Sequence, residues 1–329
     1  MKRQSDGILV FSEFISGSLH PVTLEILGKA RDLADKVSSD VLAVMVGSGL
    51  SEAARELVFH GADVVYSIDH PSLTDFDPLL FQQNLVPLLR ELNPLTFLLG
   101  ATQIGRCLGP RIAAQLGTGI TADCTDLDMT PEGNLVQVRP AFAGNIIATI
   151  ITRTRPQMAT VRYRVMKPAS RDQSREGRII ARDAAFTTPS AKVITSSRST
   201  GIDISSADII VSVGRGLPRR EDLRLIEDLA DALGGIVGSS RPLVDDGWIS
   251  KEHQVGFSGN VVKPRLYIAC GISGSPQHLF GMKDSEYIIA INKDPSAAIF
   301  RVADVGVTMD LNEVLPLLAL EIRKRNLSH

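Results

Sequence analysis

Short apolar runs alternate with amphipathic helical patterns through most of this 329-residue chain, and this alternation most narrows the folds open to it. Because parallel strands need long crossover connections, the pattern is typical of βα units that build a parallel sheet. The first half predicts strands at residues 8–14, 41–46, 64–68 and 95–99 and helices at 21–37, 51–59, 77–92 and 105–116. The helix at 51–59 is expected to open on Ser51 as its cap.

The pattern changes after residue 116, where further strands are expected at 123–128, 135–138, 146–152 and 158–163. Residues 166–204 are rich in Ser, Arg, Thr and Pro and show little periodicity, so we place a domain boundary there, with domains at 1–195 and 196–329. The second half returns to βα alternation, with strands at 208–213, 235–237, 266–269, 287–291 and 305–309 and helices at 219–233, 277–282 and 311–325.

The expected fold class is therefore α/β with two domains. The N-terminal domain is Rossmann-like with added β-strands, and the C-terminal domain is a doubly wound parallel sheet.

The composition excludes several classes of function. With 35 basic and 37 acidic residues and no sustained basic stripe, nucleic acid is not an expected partner. Cys107, Cys124 and Cys270 lack the paired spacing of zinc or iron–sulfur sites, so no metal is expected and the thiols are interpreted as reduced, in a cytoplasmic protein. No apolar segment approaches the roughly 20 residues of a membrane span, and no signal peptide is expected.

The loops that follow the strands of the second half are where a ligand is expected. In an open parallel sheet, ligands bind outside the carboxyl ends of the strands, where the strand order reverses. Glycine or polar residues follow all five predicted strands: Gly214-Arg215-Gly216, Gly238-Ser239-Ser240-Arg241, Gly271 to His278, Asn292-Lys293-Asp294 and Asp310. Any one such loop is ordinary, but five on one edge indicate a binding site.

Two common nucleotide motifs are absent from these loops. Gly214-Arg-Gly216 begins like GxGxxG, but Arg219 replaces the third glycine, and no acidic residue follows the second strand to hold a ribose. The phosphate-binding GxxxxGK[ST] pattern is missing as well.

The segment ACGISGSPQHLFGM, residues 269–282, predicts an anion site. Ser275 is expected to cap a helix that begins at Pro276, which would leave free N–H groups at Gln277 and His278. Gly271 and Gly274 would let a ligand approach the backbone closely. With Arg215 and Arg241 nearby, the edge suits a pyrophosphate and a ring that becomes negative on reduction, as in a flavin dinucleotide, with His278 as a donor. An incidental place for His278 in the first helical turn remains open.

Leu266 to Gly281, followed by Ile289 to Asp294, closely resembles the signature of electron-transfer flavoprotein alpha subunits. The likeness extends through Gly214-Arg215-Gly216-Leu217, Ser240-Arg241, Gln254-Val255-Gly256 and Asn292 to Asp304, and it covers the first half more loosely, mainly in its order of elements. The resemblance implies that the second domain holds one FAD. It implies no catalytic residue and these cofactor-binding residues: Arg215, Ser240, Arg241, Gln254, Val255, Ser258, Gly259, Gly271, Ile272, Ser273, Gly274, Gln277, His278, Asn292, Asp310 and Leu311.

The resemblance also implies roles for some of these residues. Arg241 and His278 would lie by the flavin ring and favour an anionic semiquinone, and the hydroxyl of Ser258 would lie near flavin N5. Asn292 and Asp310 would serve the adenosine end. Many relatives have glutamine where this chain has Phe257, which alters a polar contact near the ring.

The partners implied by the resemblance are a beta subunit, which the first domain packs against, and a flavin dehydrogenase such as an acyl-CoA dehydrogenase. The location implied is the prokaryotic cytoplasm. The segments 138–145 and 154–157 resemble alpha subunits of the electron-bifurcating kind, in which the beta subunit carries a second FAD and oxidises NADH. A hairpin with an arginine at its rim is the plainer interpretation of those segments.

Two other functions stay open at this point. One is a nucleotide-binding sensor module without redox chemistry, and the other is a flavin-dependent dehydrogenase with its own substrate. The second needs an acid or base over the ring, and His278 is the one candidate.

Overall fold

A computed structural model describes residues 7–15, 17–141, 146–186 and 204–326. The contacts divide the chain into two compact units, with the division between Ile194 and Thr195. The expected domain boundary at residues 195 and 196 lies outside the described residues and stays a prediction. Each unit is described by itself below.

The first unit contains sixteen labelled elements of βα type followed by added strands. They are β1 Ile8–Phe11, β2 Phe14–Ile15, β3 Ser18–Leu19, α1 Pro21–Lys36, β4 Val41–Gly47, α2 Ser51–Phe59, β5 Val64–Asp69, α3 Pro78–Leu92, β6 Thr96–Gly100, α4 Gln103–Leu116, β7 Ile120–Cys124, β8 Asp126–Met129, β9 Leu135–Ala141, β10 Ile146–Ile151, β11 Gln157–Val161 and β12 Arg178–Ala181.

These strands form a seven-stranded parallel sheet in the order β12-β5-β4-β1-β6-β11-β7. A three-stranded antiparallel sheet has the order β10-β9-β8, and β2 pairs with β3 in a short hairpin.

Both faces of the large sheet are covered, which explains why its strands are continuous apolar runs. Successive side chains of β1 point to opposite faces, so Ile8 and Val10 pack with α1 and α2 residues such as Ile26 and Leu57. Leu9 and Phe11 pack on the other face, with α3 and α4 residues that include Leu85 and Ile112.

Four local predictions for this unit are wrong. Residues 123–128 do not form one strand, because β7 ends at Cys124 and β8 begins at Asp126 in a different sheet. Residues 8–14 do not form one strand, because β1 ends at Phe11 and Phe14 pairs with Leu19 in the hairpin. Ser51 does not cap α2, because the cap position is Leu50 and the Asp69 carboxylate accepts from the Gly49 and Leu50 N–H groups at 2.9 and 2.8 Å. Strand β12 was not predicted, because its four residues are mostly exposed and carry no apolar alternation.

The second unit is the one expected to hold a ligand. Its labelled elements are β13 Ile209–Val213, α5 Leu223–Leu233, β14 Ile236–Ser239, α6 Arg241–Asp245, β15 Leu266–Cys270, α7 Pro276–Met282, β16 Ile288–Ile291, β17 Val305–Val307 and α8 Leu311–Asn326. All strands are parallel, in the order β14-β13-β15-β16-β17.

The strand order of this sheet reverses between β13 and β15. The chain passes outward from β13 to β14 and then crosses back to β15 on the other side of β13. Helices α5 and α8 pack on one face through residues such as Leu229 and Leu315, and Val255, Met282 and Ile299 pack on the other. The predicted α/β fold class, with a doubly wound parallel sheet in the second half, is confirmed.

Within the described ranges, no helix combines the length and the apolar character that crossing a membrane requires.

Candidate functional site

A cavity of about 340 Å³ lies at the carboxyl edge of the second sheet, at the crevice where the strand order reverses. The loops that follow four neighbouring strands line it. The lining residues are Gly214, Arg215, Gly216, Ser240, Pro242, Gly271, Ile272, Ser273, Ser275, His278, Asn292, Asp294 and Ala297.

The floor of this cavity is backbone. The Gly214 N–H donates to the Cys270 carbonyl and the Gly216 N–H donates to the Gly271 carbonyl, each at 2.9 Å. Gly271 has a φ of +62°, a conformation that glycine adopts readily and other residues avoid. The loops after β13 and β15 therefore touch without side chains between them, and their N–H groups are hydrogen-bonded within the protein.

Asn292 fastens two of the lining loops together. Its side chain is buried, and its Nδ2 donates to the Ile272 carbonyl at 3.0 Å. Its Oδ1 accepts from the Asp294 N–H at 3.0 Å. Both ends of the amide are thus used within the protein, and the loops after β15 and β16 are held at a defined separation.

His278 is the buried titratable residue of the cavity. The residue is 5% exposed, and its Nε2 lies 2.9 Å from the hydroxyl of Tyr267. Its Nδ1 makes no hydrogen bond of normal distance and angle with any described residue, although the Val255 backbone lies close enough to the ring to oppose part of the effect of burial on the pKa of His278. Burial lowers the pKa of His278 to about 4, so the imidazole is neutral near pH 7. A buried polar atom without a partner, in the wall of a cavity, indicates a place for a ligand atom.

The start of α7 differs from the prediction. Ser275 occupies the cap position, but its side chain makes no capping hydrogen bond. The Ser275 carbonyl instead accepts from the His278 N–H at 2.9 Å, which closes a tight first turn. The predictions of a Ser275 side-chain cap and of a free His278 N–H are therefore wrong.

The two arginines expected at the site lie in different places. Arg215 is exposed and lines the cavity. Arg241 is not among the lining residues, and its Nε lies 3.2 Å from Asp245 Oδ2, one turn along α6. The structure therefore brings the Arg215 guanidinium to the cavity, whereas the Arg241 guanidinium forms an ion pair with Asp245 of the same helix.

The loop of residues 254–260 sits on the first turn of α7. The Phe257 N–H donates to the Gln277 carbonyl at 2.8 Å, and the Gln254 Nε2 donates to the Ser258 Oγ at 3.0 Å. The Val255 N–H donates to the Ser239 carbonyl at 2.9 Å, and Gly259 lies where a Cβ would be 2.4 Å from the Gln254 carbonyl. These contacts hold the loop against α7, outside the cavity lining.

The remaining expected residues lie around the cavity. Asp310 caps α8 by accepting from the Asn312 N–H at 2.9 Å, and the buried Leu311 lies below Gly271. Gln277 is exposed, and Gly274, with a φ of +83°, approaches the Ile299 N–H.

The cavity thus brings together part of the predicted set. Its members from that set are Arg215, Ser240, Gly271, Ile272, Ser273, His278 and Asn292. The predicted residues outside the lining are Arg241, Gln254, Val255, Ser258, Gly259, Gly274, Gln277, Asp310 and Leu311.

Six lining residues are outside the predicted set: Gly214, Gly216, Pro242, Ser275, Asp294 and Ala297. Four of these belong to the strand-end loops in which a ligand was expected, whereas Pro242 and Ala297 were missed. Pro242 directly follows the Ser240-Arg241 pair, so extending that loop by one residue would have found it. Ala297 carries no polar group and gave no signal. Tyr267 was also missed as a site residue, since it lies inside an apolar strand and shows no sign in the sequence of its contact with His278.

The comparisons with known proteins cover both units. Residues 8–187 match the Electron transfer flavoprotein domain, and residues 203–283 match the Electron transfer flavoprotein FAD-binding domain. The chain is 47% identical over 322 residues to an electron transfer flavoprotein subunit alpha of Thermoanaerobacterium thermosaccharolyticum, covering 96% of this chain and 98% of the relative.

Two further relatives are similarly close. An electron transfer flavoprotein subunit alpha of Megasphaera elsdenii is 44% identical, covering 97% of each chain. The subunit LctC of a lactate dehydrogenase (NAD(+),ferredoxin) of Acetobacterium woodii is 43% identical, covering 94% of this chain and 75% of the relative.

Proposed function

This chain belongs to the electron transfer flavoprotein alpha-subunit family and carries that family's FAD-binding domain, and from this we propose that the cavity of its second unit holds one FAD. Alpha subunits of the family pair with a beta subunit. In our proposal the heterodimer carries electrons, one at a time, between a flavin dehydrogenase and an acceptor. The observation that carries the proposal is the buried imidazole of His278 in the wall of a cavity at the switch point of the sheet, whose Nδ1 makes no hydrogen bond of normal geometry with a described residue.

The residues present fit a flavin dinucleotide. Gly214, Gly216 and Gly271 add no side chains to the lining, which favours close approach of a pyrophosphate, and Arg215 supplies positive charge. The hydroxyls of Ser240, Ser273 and Ser275 add hydrogen-bonding groups to the lining. Asp294 is the one carboxylate in that lining, and its Oδ1 is occupied by the Ser296 N–H and hydroxyl at 2.9 and 2.7 Å.

FAD, when bound, supplies a ring that accepts and releases electrons and becomes more negative on reduction. The chain supplies fixed polar groups around that charge. The Tyr267 hydroxyl holds the ring of His278, and the Ser275 carbonyl holds its backbone N–H in the first turn of α7. The ring can therefore contact a ligand atom without first being reoriented. Because its imidazole is neutral, it contributes a dipole, and the full positive charge of the lining comes from Arg215.

The proposal keeps the FAD-binding roles expected for Arg241, Ser258, Asp310 and Gln277. Arg241 would have to leave Asp245 to reach the cavity, which an exposed ion pair permits at small cost, since such pairs are worth about 0–1 kcal/mol. Ser258 lies in the loop of residues 254–260, which packs on α7, and this position supports its proposed place near the flavin ring.

For the beta subunit we propose a surface on the first unit. Strand β10 is an edge of the antiparallel sheet and pairs with β9 alone among the described strands. Its Ile146, Ile147 and Ile151 are 51%, 71% and 50% exposed. An open strand edge that exposes large apolar side chains is typical of a surface that a partner covers. The pairing of this family with a beta subunit supports that occupant.

An acyl-CoA dehydrogenase is one flavin dehydrogenase that would suit this carrier. The cytoplasmic location stays a prediction.

A second candidate function is electron bifurcation, in which electrons go to two acceptors of different potential. It is favoured by the Acetobacterium woodii relative, whose name contains both NAD(+) and ferredoxin. The segments 138–145 and 154–157 also resemble alpha subunits of the bifurcating kind, and residues 142–145 of the first segment lie outside the described residues.

Counting flavins tests these functions together. The chain is co-expressed with a beta subunit of the same family and source, and FAD released from the purified heterodimer is quantified by absorbance. One FAD per heterodimer supports the carrier, and two support bifurcation. A colourless heterodimer that still binds AMP or ATP would contradict both and favour a nucleotide sensor.

A further inference from the structure

Tyr267 is a fully buried tyrosine at the second position of β15, and its hydroxyl contacts the ring of His278. The residue is 0% exposed, and the Tyr267 Oη lies 2.9 Å from the His278 Nε2. Burial raises the pKa of Tyr267, so the phenol keeps its proton throughout the physiological range. A buried tyrosine hydroxyl normally finds a hydrogen-bond partner, and His278 provides it here.

The two groups share a limited number of protons. A neutral imidazole has one N–H and one lone pair, and a phenol has one O–H. If the phenol donates to Nε2, the ring proton must be on Nδ1, which can then act as a donor. If Nε2 carries the proton, the phenol must donate elsewhere and Nδ1 keeps only a lone pair.

The hydroxyl of Ser212 on β13 also lies near the Tyr267 phenol. Burial raises the pKa of Tyr267, and the Ser212 hydroxyl opposes that effect as a donor to the phenolic oxygen, which leaves the phenol proton for His278. However, the Ser212 Oγ is buried and makes no hydrogen bond with any described residue. Hydrogen bonds weaken steeply outside their normal distance and angle, so the Ser212 hydroxyl does not compete with His278 for the phenol proton. The phenol proton is then directed to His278.

We propose that Tyr267 is a positioning residue that sets the tautomer of His278: the phenol donates to Nε2, so that Nδ1–H points into the cavity. The buried pair then turns an otherwise ambivalent ring into a fixed donor. A donor at this position favours an electronegative ligand atom, and more so one that gains negative charge. The ligand's identity depends on the proposed function, whereas the tautomer is a property of the protein alone.

The test is ¹⁵N NMR of the full-length heterodimer labelled at histidine, before and after removal of FAD. The signal of His278 is assigned from its loss in His278→Gln. We expect a protonated Nδ1 and an unprotonated Nε2 near pH 7 in the wild-type protein. The same shifts are expected in Ser212→Ala, because that hydroxyl is outside the hydrogen-bonded pair. In Tyr267→Phe, which keeps the ring volume, the Nδ1–H signal should weaken or move to Nε2.

A proton on Nε2 in the wild-type protein would overturn the inference, as would a Ser212→Ala spectrum that changes while Tyr267→Phe does not. The wild-type spectrum decides the matter even if Tyr267→Phe does not fold. As a second readout, the one-electron reduction potential of bound FAD should fall in Tyr267→Phe and stay near the wild-type value in Ser212→Ala. A heterodimer that binds no FAD but shows Nδ1–H would refute the proposed function and leave this inference standing.

Discussion

A Cβ atom on Gly216 would lie 2.5 Å from the Cα of Gly271, so the loops after β13 and β15 meet backbone against backbone at the centre of the second sheet. No side chain fits between them. This contact keeps side chains out of the crevice at the switch point.

The first prediction concerns this contact. Gly216→Ala should push the two loops apart and weaken FAD retention by about tenfold or more, which corresponds to roughly 1.4 kcal/mol. The matched control is Gly234→Ala at the end of α5, where φ is +66° and nothing lies within 4 Å of the added methyl. That change should cost about 1 kcal/mol of folding stability through backbone strain and leave FAD affinity unchanged. Equal FAD affinity in both variants would contradict the close-contact argument.

The second prediction separates the two arginines. Arg215→Ala should weaken FAD binding about tenfold, because it removes the guanidinium that lines the cavity. Arg241→Ala should leave FAD binding within a few-fold of wild type and lower the reduction potential, since its proposed place is by the ring. Titration of the flavin-free heterodimer with FAD and redox potentiometry measure the two effects. An unchanged potential in Arg241→Ala would return that arginine to its ion pair with Asp245.

The third prediction uses the depressed pKa of His278, about 4 against an ordinary 6.5. Between these values the unfolded chain binds a proton that the native protein does not, so stability is complete above pH 6.5 and is lost as the pH falls towards 4. His278→Gln should remove this part of the acid sensitivity, on the order of 1–3 kcal/mol. Urea unfolding of the flavin-free heterodimer at pH 7.5, 6 and 5 gives the comparison. Parallel wild-type and variant curves would count against a neutral, buried ring.

The fourth prediction concerns Glu13, a buried carboxyl that follows β1 in the first unit. Burial raises its pKa to about 7, although the Thr102 hydroxyl donates to both of its oxygens at 2.8 and 2.9 Å. Its stabilising contribution is complete below about pH 4.5 and is lost as the pH rises through 7.

Glu13→Gln imitates the protonated form and should therefore be more stable than wild type at pH 8, by roughly 1–3 kcal/mol, with a smaller difference at pH 5. Glu52→Gln, at an exposed site in the first turn of α2, serves as the control, and its difference in stability from wild type should be no larger at pH 8 than at pH 5. If the two variants respond alike to pH, the carboxyl of Glu13 is not buried in solution.

The fifth prediction tests the surface proposed for the beta subunit. Ile147→Lys places a charge on the most exposed isoleucine of β10 and should reduce co-purification of the beta subunit at least tenfold, because burying a charge at an interface is costly. Ile179→Lys makes the same change at a 45% exposed isoleucine on β12, another edge strand of the first unit. It should leave the heterodimer intact. Loss of pairing in the second variant alone would assign the beta subunit to the β12 edge.

Much of the second unit was predictable because its strands are buried on both faces and its helices carry apolar stripes. The predicted bounds of the five strands, and of the loops that follow them, are close to the observed bounds. The long motif around His278 indicated the family. The helix starts were less predictable. Ser275 and Ser51 are both chemically suited to capping, yet in each case other groups, the Ser275 carbonyl and the Asp69 carboxylate, satisfy the local N–H groups.

The sequence by itself determined the fold class and the family, because hydrophobic periodicity and a contiguous motif are local properties of the chain. Only the tertiary structure decided which residues meet in the cavity, since that depends on the order in which the strands pair. In the tertiary structure β13 lies beside β15, and the Tyr267 hydroxyl contacts the His278 ring. Arg215 lines the cavity, whereas Arg241 pairs with Asp245. Contacts between residues distant in sequence leave no periodic trace, so the partner of the histidine could be found only in three dimensions.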